Sequence, residues 1–72
     1  MTGYVIIIEG DEAGGFSSYA PDLPGVVAAA STYDECVALM REAVAFHLEG
    51  MREDGDPIPP PIAVGAETIV AA

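Results

Sequence analysis

Six carboxylates, Glu9, Asp11, Glu12, Asp22, Asp34 and Glu35, crowd the first half of the chain. Paired carboxylates are what holds Mg²⁺ in metal-assisted phosphoryl chemistry, so a metal-dependent nuclease is the first chemistry to weigh. Only Glu9 falls on an expected strand, and turn or helix-capping roles already account for the others. A nuclease would also need cations to hold its phosphate substrate, and Arg41 and Arg52 are the only basic residues besides His47. His47 lies on an apolar helical stripe near the expected helix end, where an imidazole packs or, once protonated, interacts with the dipole. Cys36 falls on the same stripe and reads as a small hydrophobe. Ser17 and Ser18 have no nucleophile-elbow motif around them, and Gly14-Gly15 opens no helix, as a phosphate loop would. The residues therefore specify no enzyme, no metal site and no cofactor.

The chain has 72 residues, which is one domain spanning 1–72. A core of this size supplies no more than about 3–5 kcal/mol, and small folds add disulfides, a metal or oligomerisation. The single cysteine excludes an internal disulfide, and one cysteine with one histidine gives no zinc spacing. Oligomerisation remains, and a homodimer or tetramer is expected. Twelve acidic residues against two Lys+Arg give a net charge of −10. That balance argues against direct nucleic-acid binding, which needs cations to neutralise phosphates, and against anionic membrane surfaces. It suits a basic partner found by long-range steering, or serves solubility. The start has no basic n-region, and the first apolar run is too short for a signal sequence or a membrane span, so a cytoplasmic location is expected.

The elements that must position these residues follow from patterning. Residues 2–9 (TGYVIIIE) read as a strand apolar on both faces, with Tyr4, Ile6 and Ile8 on one and Val5, Ile7 and Glu9 on the other. A glycine-rich turn over 10–15 leads to a second strand over 16–20. The stiff turn Pro21-Asp22-Leu23-Pro24-Gly25 precedes a third strand of small residues over 26–30. Thr32 followed by Glu35 has the spacing of a capping box. Cys36, Met40, Ala43, Val44, His47, Leu48 and Met51 then recur at helical spacing, with Val37, Leu39 and Phe46 widening the stripe. A helix over 33–50 is expected, ended at Gly50 or Gly55. Residues 56–61 (DPIPPP) are stiff and extended, and 67–71 (ETIVA) read as a last strand. The order is β-β-β-α-β: an α+β fold, an antiparallel sheet with one helix on one face.

The aromatic first strand, the acidic glycine turn, Tyr19-Ala20-Pro21-Asp22-Leu23-Pro24-Gly25, and the capped helix Thr32-Tyr33-Asp34-Glu35 carrying Arg41-Glu42-Ala43-Val44 together resemble the HicB family of antitoxins. The likeness runs from about residue 4 to residue 61. It implies a partial, degenerate ribonuclease H-like fold without that fold's catalytic carboxylates. It also implies a type II toxin–antitoxin role: direct binding to a small basic HicA-type toxin, an mRNA-cleaving ribonuclease whose active site is covered. Many members carry a further DNA-binding domain, for which 72 residues leave no space, so no direct promoter binding is expected.

A stiff turn loses little entropy on docking. On this resemblance Asp11, Glu12 and Asp22 would steer the basic partner, and Tyr19 and Leu23 would anchor it. The rival reading is a stand-alone oligomeric structural or regulatory module with no toxin.

Overall fold

The computed structural model describes residues 3–71. It contains β1 (Ile7–Asp11), β2 (Gly15–Ala20), β3 (Leu23–Ala30) and α1 (Tyr33–Asp54), in an antiparallel sheet of order β1-β2-β3. The helix packs across β3 and β2 on one face of the sheet. The α+β class and the β-β-β-α order are those expected.

The first hairpin closes at the pair Asp11 and Gly15. Asp11 Oδ1 accepts a hydrogen bond from the Gly14 N–H at 2.7 Å, which ties the acidic turn together. Gly10 has φ +117°, and a Cβ there would lie 2.1 Å from the Gly15 carbonyl oxygen, so no other residue fits. The strand itself is shifted from its expected position. It starts at Ile7 and runs to Asp11; continued backwards, the register would set Val5 and Tyr4 against Pro21 and Asp22 of the turn, beyond the end of β2. Thr2 lies outside the described residues.

The proline turn is also tighter than expected. Ala20 pairs directly with Leu23, leaving Pro21 and Asp22 as a two-residue turn. The register then slips, so that Tyr19 faces Val27, and Gly25 takes φ +89°. This bulge sends Leu23 and Val26, three residues apart, to the same side of the sheet, where both are buried.

The capping prediction holds. Thr32 Oγ1 accepts from the Glu35 N–H at 3.2 Å, and Asp34 and Glu35 occupy the positive first turn. Gly50 lies inside the helix, which continues to Asp54 and ends at Gly55 with φ +74°. There the Gly55 N–H donates to Arg52 O and the Asp56 N–H to Met51 O, closing the last turn.

Ala20, Leu23, Val26 and Met40 form the core, with Tyr4, Ile6, Ala28, Ala43, Val44 and Leu48 partly buried around it. Cys36 is fully buried beneath them. Two members of the expected stripe are not in it: Leu39 and Phe46 point to solvent.

The closing strand over 67–71 is not formed. Residues 56–71 have no regular structure. Pro57, Pro59, Pro60 and Pro61 supply no backbone donors, and what holds the segment is side chains. Asp22 Oδ2 accepts from the N–H groups of Ile62 and Ala63 at 2.8 and 2.9 Å, and the Tyr4 hydroxyl donates to the Pro59 carbonyl. Both outer edges of the sheet, on β1 and on β3, are thus without a strand neighbour among the described residues.

Candidate partner-binding face

Alternation along the strands fixes which side chains leave the core. Ser18 and Ala20 on β2 are buried beneath the helix, so Ser17 and Tyr19 face the other way. Tyr19 sits directly opposite Ile7 on β1 and Val27 on β3. The three make an apolar row straight across the sheet face that the helix leaves open. Tyr19 is 42% exposed and Val27 68%. The neighbouring row is Glu9, Ser17 and Ala29, so carboxylate and hydroxyl border the apolar strip on the side toward the acidic turn.

The sequence-predicted residues divide accordingly. Tyr19 is central to the open face. Asp11 and Glu12 lie exposed at the tip of the first hairpin, with Asp11 also bracing its turn. Asp22 is at the opposite end of β2, in the second turn, where its carboxylate holds residues 62 and 63. Leu23 is only 1% exposed. Its inward position, set by the bulge at Pro24 and Gly25, makes it a core residue with no surface to offer. Ile7 and Val27 complete the face and were not singled out from the sequence. The signal for them was the two-residue period, usable once the hairpin register was known.

The six carboxylates do not converge. Glu9 is on the open face, Asp34 and Glu35 cap the helix, and Asp22 latches the C-terminal segment. Among the described residues no group of three or more His, Cys, Asp or Glu is placed to hold a metal ion, and no helix is long and apolar enough to cross a membrane. Cys36 Sγ lies 3.9 Å from the Ala28 carbonyl, a weak buried contact. The Ser18 hydroxyl is buried with no hydrogen-bond partner among the described residues. What this arrangement offers is a recognition surface: an apolar strip with a tyrosine at its centre and one carboxylate, Glu9, in the row beside it.

The profile for HicB-like antitoxins of bacterial toxin–antitoxin systems matches residues 4–70. A curated relative, an uncharacterised 14.9 kDa protein from the rep-hol intergenic region of Haemophilus phage HP1, is 40% identical over 45 residues, 62% of this chain. The aligned part spans 34% of that relative's length. No solved structure gives a significant match.

Proposed function

The chain belongs to the HicB-like antitoxin family, and from that premise we propose that it neutralises a small basic HicA-type mRNA interferase by direct binding. The observation that carries this is the open sheet face: an Ile7–Tyr19–Val27 row, exposed at Tyr19 and Val27 and half-buried at Ile7, beside Glu9, on a chain with net charge −10. A toxin that grips RNA presents cations around its active site, and a negative rim with an apolar centre complements that surface. Asp11, Glu12 and Asp22 supply steering charge, and Tyr19 the anchor. The chain itself performs no catalysis, uses no cofactor and acts in the cytoplasm. The β-β-β-α order supports the partial ribonuclease H-like reading.

Self-association into a homodimer or tetramer accompanies this role. Among the described residues only five apolar side chains, Ala20, Leu23, Val26, Cys36 and Met40, are buried, a small core for an independent fold. The outer edge of β3 is a ready site for a second copy, whereas the C-terminal segment runs beside β1. The same facts favour the second reading, a stand-alone oligomeric module without a toxin.

Co-expression separates the two. If the chain is an antitoxin, growth arrest by a co-expressed basic HicA-type toxin is relieved, and the two proteins co-purify in fixed stoichiometry. Persistent arrest and no co-purification assign the chain to the module reading.

A further inference from the structure

We propose that the solvent side of α1 is a second docking surface, shaped for a basic protein surface that offers an apolar pocket. Leu39 and Phe46 are seven residues apart, so they lie along one line of the helix about 10.5 Å from each other. They are 43% and 80% exposed. A phenylalanine ring left in water on the flank of a helix whose sheet-facing residues Cys36 and Met40 are buried has no packing role among the described residues.

The charge around these two side chains selects the occupant. At 100° per residue, Glu35, Glu42, Glu49 and Glu53 all fall within about 60° of Phe46, and all four are exposed. Arg41 and Arg52 lie more than about 100° away on the same projection. The ridge thus carries four carboxylates and no cation around two apolar knobs. A second copy of the ridge would bring eight carboxylates together around the two rings. Nucleic acid and anionic lipid are repelled by the same charge. A basic protein surface is the occupant that neutralises the glutamates while covering the phenylalanine.

This rests on the antitoxin reading for the identity of the basic protein and adds a contact surface on the side of the molecule opposite Tyr19. The test titrates the full chain with a basic HicA-type toxin, made inert by replacing its catalytic histidine, and reads affinity, association rate and toxin copies per chain. Phe46→Ala, Leu39→Ala, the double variant Glu42→Lys with Glu49→Lys, and Tyr19→Ala are compared with wild type. The ridge positions are exposed and alanine favours helix, so unchanged circular-dichroism melting identifies folded variants.

Phe46→Ala should remove one class of binding or weaken it at least about tenfold, mainly through dissociation. The lysine double variant should slow association about tenfold at low salt, with the difference shrinking as salt rises. A single toxin per chain, lost with Phe46→Ala and kept with Tyr19→Ala, supports the ridge and displaces the sheet face as the toxin site. Wild-type binding that all three ridge variants retain in full overturns the ridge and leaves the antitoxin reading standing. No toxin binding by wild type overturns both. Loss of self-association in Phe46→Ala with toxin affinity unchanged gives the ridge to a second copy and overturns the proposal.

Discussion

Asp22 reaches across the fold to Ile62, 40 residues later, accepting its N–H at 2.8 Å, and takes the Ala63 N–H with the same oxygen. Two charge-assisted bonds on one carboxylate oxygen hold a segment that has no ladder of its own. Asp22→Ala should therefore release residues 62–71, with Pro59 still held by Tyr4, and leave the core intact. Amide exchange at Ile62 and Ala63 should rise by about tenfold, with little change in the global melting temperature. Unchanged exchange at these two amides would show that Asp22 does not hold the segment, leaving the Tyr4–Pro59 bond and the prolines to do so.

Thr32→Ala removes the oxygen that accepts the Glu35 N–H. Loss of a threonine N-cap destabilises by about 0.5–2 kcal/mol, and α1 is the only helix among the described residues. Urea denaturation should show the midpoint lowered accordingly. A midpoint that does not move would place helix nucleation elsewhere.

At Gly10 the hairpin tolerates no side chain, since a Cβ would fall 2.1 Å from the Gly15 carbonyl at a φ of +117°. Gly10→Ala should cost more than about 2 kcal/mol, strain and steric overlap together. Gly50→Ala is the internal control. It lies inside α1 with open space around its Cβ position and without positive φ, so it should stabilise by about 0.5–1 kcal/mol. Thermal melts of the two variants should move in opposite directions.

The Ser18 hydroxyl is 3% exposed as a residue and unpaired, flanked in its row by Ile8 and Ala28. A buried polar group without a partner costs about 1–3 kcal/mol. Ser18→Ala should raise the denaturation midpoint, and a lowered one would reveal a hydrogen bond made by that hydroxyl.

Neutralising Asp11, Glu12 and Asp22 together, to Asn, Gln and Asn, preserves acceptor oxygens for the Gly14, Ile62 and Ala63 amides while removing three charges. Stopped-flow binding to the inert toxin should show a lower association rate with the dissociation rate nearly constant, and the deficit should fade as salt shortens the Debye length to about 8 Å and below. Rates indifferent to both salt and substitution would remove these acids from steering.

Local signals in the sequence carried over where their physics is local. The Thr32 cap and the three-strand meander need only neighbours a few residues away, whereas the helix end, expected at residue 50 with Gly50 or Gly55 as the stop, lies a turn later at Gly55. What failed depended on distant pairing. The 67–71 segment has strand composition, but a strand needs a partner, and the side-chain bonds of Tyr4 and Asp22 hold the chain before it reaches one. Leu23 looked like a turn residue because the bulge at Gly25, which directs it inward, depends on the register between β2 and β3. Phe46 and Leu39 were read as core because a widened apolar stripe and an apolar outer ridge differ only in where the sheet lies.

The uncovered outer edge of β3 has a consequence for assembly size. An exposed strand edge is a template on which like strands can add without limit, and such growth ends in fibres or precipitates. Each copy that joins this sheet brings ten net negative charges, so the electrostatic work of each addition climbs while the gain per added edge stays constant. On the proposed self-association, that charge would favour a small assembly over a filament. At about 1 M salt the Debye length falls to about 3 Å, so the same edge would be expected to drive the protein out of solution.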